Sequence, residues 1–217
     1  MSLDQRLYSF LFDPAAGVQM EIVRSLFAEQ EQPWLASATE PQWRQLARQK
    51  INTQSPIAEI DLPDLMSNST HKLALLTVTE WRLLGLGVAL LPFVGRIARS
   101  MDGNFRRGIR TILKEPDIEA LDNLANDEEI FETRPQFMAP SIVWKNMEFV
   151  HAGGIQAIVT QVCKWPAPID QRTSWKFVSV KEPIGPLVAD LTSQHIEALC
   201  KILLPSHPWL LSSSQTH

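Results

Sequence analysis

The chain is organised around HKLALLTVTEWRLLGLGVALLPFVGRIARSMDGNFRRGIRTILK, residues 71–114, whose pattern predicts three helices in succession. Between Leu73 and Leu91 the only charges are Glu80 and Arg82, and a helix apolar around most of its circumference is buried on several sides. Gly85 and Gly87 each forfeit roughly 1 kcal/mol of helix propensity relative to alanine, a loss that suggests a neighbouring helix approaching closely where Cβ is missing. Pro92 lacks a backbone donor and clashes with the turn before it, so a break is expected there. Beyond it Phe93, Val94, Ile97, Ala98 and Met101 share a helical face from which Arg96 and Arg99 are excluded. After the Met-Asp-Gly turn, Phe105, Ile109, Ile112 and Leu113 mark a third apolar stripe, with Arg106, Arg107, Arg110 and Lys114 on the remaining surface. The uncharged run 83–95 is closed by Arg82 and Arg96 and is shorter than the about 20 apolar residues that span a bilayer. A core helix is expected rather than membrane insertion.

On either side of this centre the pattern is weaker. Leu3, Leu7, Phe10 and Leu11 recur at helical spacing, and Asp13-Pro14 reads as the start of a second helix with Val18, Ile22 and Leu26 on its face, ending before Pro33. Thr39-Glu40-Pro41 opens a short helix through Trp43, Leu46 and Ala47, after which residues 52–70 read as a loop rich in turn formers, with Ser69 or Thr70 placed to cap the central helix. Pro116 fits the first turn of a helix carrying Ile118, Leu121 and Leu124, and Glu115, Asp117 and Glu119 suit its positive end. An apolar pattern follows Pro140, is interrupted at Gly153-Gly154, and resumes as a stripe of Ile155, Ile158, Val159 and Val162 that ends at Trp165-Pro166. Prolines make 166–186 a loop, within which the alternation of TSWKFVSV predicts one short strand near 173–180. Thr192 caps a last helix with Ile196, Leu199, Cys200 and Leu203 on one face, stopped by Pro205, and the end, about 211–217, is a frayed tail. The fold class is therefore mainly α: a single helical domain, 1–217, around a buried central apolar helix.

Composition narrows the function classes. With 45% hydrophobic and 20% charged residues the chain is globular rather than disordered. Its net charge of -4 gives no general affinity for nucleic acid or anionic lipid. Cys163 and Cys200 are the only two cysteines, too few for a disulfide framework or paired metal ligands, and MSLDQRLYSFLFDP lacks the apolar run of a secretory signal. A cytoplasmic protein with reduced thiols is expected.

Chemistry is sparse. The histidines, at 71, 151, 195, 207 and 217, are too scattered for a local metal site. His195 and Cys200 are five apart, which turns them about 140° away from each other on a helix, so a partly exposed histidine beside a core cysteine is the plain reading. The chain contains no G-x-S-x-G elbow, P-loop, G-x-G-x-x-G or H-E-x-x-H motif. No cofactor, metal or catalytic residue is assigned. The strongest polar signal is Arg96, Arg99, Arg106, Arg107 and Arg110. Such runs commonly do no more than solvate a face, here one that the acidic segment 115–132 could neutralise. Their functional reading is a partner-binding patch for an acidic protein rather than nucleic acid, since guanidinium groups donate paired hydrogen bonds to carboxylates. Seven tryptophans, at 34, 43, 81, 144, 165, 175 and 209, exceed what a small helical core requires; Trp81 belongs in the core, and those beside prolines could seal it or anchor an interface.

The stretch TEWRLLGLGVALLPFVGRIARSMDGNFRRGIRTILKEPDIEAL, a Leu-Gly-rich helix followed by an arginine-bearing pair and a turn into an acidic helix, resembles the SctK family of type III secretion accessory proteins, also called YscK, PscK or OrgA. Lys114-Glu115-Pro116 departs from the family's usual continuation of the arginine helix, and the resemblance covers about a quarter of the chain. It implies a non-catalytic adaptor of the injectisome's cytoplasmic sorting platform, peripheral to the inner membrane when assembled. Such an adaptor links the cytoplasmic domain of the ring protein SctD to SctQ, and through SctQ to SctL and the ATPase SctN. The competing expectation is a helical enzyme or small-ligand binder whose polar residues converge only in three dimensions, which calls for a deep, largely apolar pocket with titratable side chains.

Overall fold

A computed structural model describes residues 1–16, 20–25, 27–93, 107, 109–110, 113–124, 136–137, 147–177 and 187–211. In chain order its helices are α1 (Leu3–Phe12), α2 (Met20–Ser25), α3 (Gln32–Leu35), α4 (Glu40–Gln54), α5 (Leu62–Ser67), α6 (Ser69–Lys72), α7 (Val78–Leu90), α8 (Glu115–Leu124), α9 (Met147–Ile158), α10 (Ala167–Ser174) and α11 (Ser193–Leu203). Two short strands, β1 (Gln136–Phe137) and β2 (Val188–Ala189), pair antiparallel with Gln136 opposite Ala189 and Phe137 opposite Val188. The fold is mainly α. The chain expected to form one domain gathers into two compact units, the first chiefly Met1–Val78 with Trp165–Ser179, the second Thr79–Lys164 with Val180–Ser212.

In the first unit, α4 supplies the apolar stripe Trp43, Ala47 and Ile51, which packs with Ala15, Val23 and Leu35 and is flanked by Phe27, Leu46 and Trp175. Thr39 starts this helix as expected, through a reciprocal capping box with Gln42. The helix is not short, however. It runs to Gln54, because Ile51 continues the buried stripe one turn past the point where polar residues seem to end it. Residues 52–70 are likewise not a loop: a 3-10 turn at Ile57–Glu59 and the helices α5 and α6 occupy most of them. Asp61 and Asn68 provide their caps, and Ser69 and Thr70, expected to cap the central helix, lie inside α6 instead, with α7 starting at Val78. The second helix does not begin at Pro14. Asp13 closes α1, residues 14–16 turn, and α2 starts at Met20. Pro33 lies inside α3.

The segment 166–186, read as loop, contributes α10, with Pro168 in its first turn, where a missing donor does no harm. The strand expected near 173–180 is not formed where the chain is described. Thr173 and Ser174 finish α10 and residues 175–177 turn, while 178–180 lie outside the described residues. Alternation misleads here because Thr173 packs inward as a helical residue whose hydroxyl donates to the Ile169 carbonyl at 2.7 Å.

The second unit is built on α7, in which Trp81 and every residue from Leu84 to Leu90 are buried. The helix gives way at Leu90 to a 3-10 turn, Leu91–Phe93, so the expected break at Pro92 is present. Gly153-Gly154 does not interrupt the next helix; α9 runs straight through it. Gly154 instead sits against α7, so close that a Cβ built on it would lie 1.9 Å from the Gly85 carbonyl oxygen. Gly87 faces α11, where a Cβ would meet Leu203 at 2.5 Å. The extended end of α9 is a π-turn, Val159–Cys163, that stops at Lys164 with φ 43°. From within it Gln161 ties the strand segment down, donating to the Val188 carbonyl at 2.6 Å and accepting from the Leu191 amide at 3.0 Å. Thr192 caps α11 as expected, and Ile196, Leu199, Cys200 and Leu203 are buried along it. α11 also packs on α8, whose buried residues are the expected Ile118, Leu121 and Leu124. Of the helix expected at 93–101, Phe93 falls in the 3-10 turn Leu91–Phe93 and 94–101 lie outside the described residues, as does the tail beyond Leu211.

Candidate functional site

Of the five arginines in the expected partner-binding patch, Arg107 and Arg110 are described. Both are helical and exposed, and Ile109 between them is buried, so this turn presents its bases outward from an anchored apolar residue. Arg96, Arg99 and Arg106 lie outside the described residues. Downstream, Lys114 leads into α8, where its amide donates to the Asp117 carboxylate at 3.1 Å. That carboxylate caps the positive end of the helix.

Buried polar side chains elsewhere tie helices together. In the first unit Arg172 has no solvent exposure. Its Nε donates to the Phe10 carbonyl at 2.8 Å, and its terminal nitrogens donate to the carbonyls of Leu11, at 2.6 Å, and Ser55, and to the Asn52 side-chain oxygen. Phe10 and Leu11 lie in the last turn of α1, and Ser55 closes α4. These carbonyls belong to the last turns, which have no partners within their own helices, and a cation there also meets the negative end of each helix dipole. Burial pulls the Arg172 pKa down to about 10, which still leaves it charged at neutral pH. Lys176 acts similarly, donating to the carbonyls of Ala74 at 2.6 Å and Leu76 at 2.9 Å.

In the second unit His207 links the segment after α11 to α7. Its Nε2 lies 2.7 Å from the Glu80 carboxylate and its Nδ1 lies 2.8 Å from the Ser206 hydroxyl. Nε2–H donates to the Glu80 carboxylate, and the Ser206 hydroxyl, able to donate or accept, meets Nδ1. His195 is fully buried, a correction to its expected partial exposure. The capping box folds its ring back so that Nδ1 accepts from the Thr192 amide at 3.1 Å. Cys200 is buried as expected; lack of solvation and the nearby Glu197 push its thiol up to about 12, so it carries no thiolate at neutral pH.

His151 sits beside the α7–α9 crossing, its Nδ1–H donating to the Arg82 carbonyl at 2.7 Å. Burial lowers its pKa, opposed by that hydrogen bond and by Glu148, while Arg82 adds to the lowering. A histidine held neutral in the fold stabilises fully above its unfolded pKa of about 6.5 and loses that contribution as pH falls below it, because the unfolded chain protonates first. The urea midpoint should therefore fall as pH drops below about 6.5, with at most about 1.4 kcal/mol per pH unit from this group. His151→Gln, which keeps an N–H donor, should remove that part of the slope in parallel melts; an unchanged slope would exclude His151 as its source.

On α4, Gln42, Gln45, Leu46 and Gln49 line an open groove of about 470 Å³ with Ser37 and Ala38. Its walls are amides and small side chains, and the Gln42 oxygen is already engaged by the Thr39 amide at 2.8 Å. Among the described residues, no group of three or more His, Cys, Asp or Glu side chains is placed to hold a metal ion, and no helix is long and apolar enough to cross a membrane. Neither a protein-family model, nor a curated protein, nor a solved structure matches this chain.

Proposed function

We propose that this chain is a non-catalytic helical adaptor of the type III secretion sorting platform, of the SctK kind. In this role it works in the cytoplasm at the inner membrane, joining the cytoplasmic domain of SctD to SctQ and, through SctQ, to SctL and SctN. The observation that carries the reading is the resemblance of residues 79–121. Its apolar Leu-Gly part is the buried helix α7, and its arginine part presents Arg107 and Arg110 to solvent. An arginine pair held outward suits an acidic protein surface.

Reversing both to glutamate should weaken binding to SctD or SctQ at least about tenfold, more so at low salt, with a nearly unchanged melt, because exposed charges contribute about 0 to 1 kcal/mol each. Calorimetric titration with each purified partner measures this. Normal binding together with a much lower melt would place these arginines in internal pairing and move the interface elsewhere.

A second reading, an enzyme, draws on the Ser206–His207–Glu80 relay, whose exposed hydroxyl is hydrogen-bonded to a histidine oriented by a carboxylate. Stoichiometric labelling of Ser206 by a fluorophosphonate, lost in His207→Gln, would favour it. The adaptor reading expects no labelling.

A further inference from the structure

The outer face of α1 exposes two aromatic side chains, Tyr8 and Phe12, beside the polar Asp4 and Gln5. Met1, Tyr8 and Phe12 are exposed to 69, 64 and 47%, and with Leu62 they are the large hydrophobic side chains exposed among the described residues. Tyr8 and Phe12, four residues apart, fall on one stripe of the helix, and Met1 lies just ahead of its N-cap, Ser2. The Tyr8 and Phe12 rings stand with centroids 5.1 Å apart. Aromatic side chains held outward in this way are the residues that anchor protein interfaces.

The back of the same helix is clamped. Arg6, Phe10 and Leu11 are buried, and Arg172 holds the carbonyls of Phe10 and Leu11. A capping box of Ser2 and Gln5 fixes the first turn. The stripe therefore rides on a backbone already ordered, and a partner need not supply that ordering free energy.

Charge selects the occupant. Asp4 lies on the exposed side between Met1 and Tyr8, Asp13 follows Phe12, and the one base of the helix, Arg6, is buried. An anionic lipid surface calls for bases beside the apolar residues, the opposite of this arrangement. Two copies laid parallel on this face would set Asp4 of each against Asp4 of the other, like charge against like. A cationic amphipathic helix fits both features, with its apolar ridge on Tyr8 and Phe12, a Lys or Arg side chain toward Asp4, and a guanidinium able to lie over either ring. We infer that the outer face of α1 docks an amphipathic, Lys/Arg-bearing helix of a partner protein. This inference does not rest on the adaptor reading.

The chain has one tyrosine, so labelling with meta-fluorotyrosine gives a single fluorine resonance, that of Tyr8. The labelled protein is titrated with a synthetic leucine-lysine amphipathic helix, with its leucine-glutamate counterpart, and with phosphatidylserine vesicles. A saturable shift with the lysine helix and none with the glutamate helix is expected, weakened roughly tenfold by Asp4→Lys and by Phe12→Ser. Asp4→Lys alters an exposed side chain and keeps the test valid should Phe12→Ser fold poorly. The inference is overturned if the lysine helix leaves the resonance unmoved or if both peptides shift it equally. A shift produced by vesicles would overturn it in favour of a lipid surface, and one produced by concentrating the protein alone in favour of self-association.

Discussion

Arg172→Leu should destabilise the first unit by about 3 to 5 kcal/mol, since it strips the donor from three backbone carbonyls that end helices, and a buried acceptor left unpaired costs about 1 to 3 kcal/mol. Leucine fills part of the volume, so packing is a minor component and the loss reports the hydrogen bonds. Against a total stability of about 5 to 15 kcal/mol, the melting midpoint should drop by roughly 10 °C. Arg172→Lys should recover only part of it, because a single ammonium lacks the planar fork that reaches Phe10, Leu11, Ser55 and Asn52 at once. Circular dichroism melts of the two variants measure both effects. A leucine variant that melts with the wild type would mean that Arg172 does not hold these helix ends.

Gly154→Ala has the next largest expected effect, and its sign is diagnostic. On a helix face with room, this exchange would stabilise by up to about 1 kcal/mol through propensity. Here the new Cβ would stand 1.9 Å from the Gly85 oxygen and 2.6 Å from its carbonyl carbon, both backbone atoms that no rotamer change can move aside. The helices α7 and α9 must separate, a strain of about 3 kcal/mol or more, and the urea midpoint should fall accordingly. A variant more stable than the wild type would show that the two backbones do not meet at this glycine.

Much of the second unit was legible because its signals are local. Thr192 announces α11, and Glu115 to Glu119 announce the start of α8. The apolar density of 83–91 announces α7, and Pro92 its end. Gly85 and Gly87 were legible as close-approach positions, but the partner Gly154 was not: a glycine pair reads as an interruption unless the opposing backbone is known. The first unit was harder. Pro166 and Pro168 look like breakers but open α10, so in sequence the helix that carries Arg172 has the pattern of a loop. An arginine, ordinarily a surface residue, gives no sign in sequence that it faces three carbonyls contributed by residues more than a hundred positions away. His195 was misjudged for a related reason: its helical phase places it near the boundary, but the capping hydrogen bond to Thr192 turns the ring inward. Of the candidate site, the exposure of Arg107 and Arg110 followed from their phase against Ile109 and Leu113. Tyr8 and Phe12 fall off the stripe of Leu3, Leu7, Phe10 and Leu11, but phase alone does not show that no other element covers them.

The most direct test of the proposed adaptor role is assembly of purified components by size-exclusion chromatography with light scattering. The full chain is mixed at micromolar concentration with the SctD cytoplasmic domain and SctQ, singly and together. The proposal predicts a binary complex with each partner and a ternary complex containing all three, in which SctD and SctQ co-elute only when this chain is present. Failure to bind either partner, or co-elution of SctD and SctQ without the chain, would contradict it.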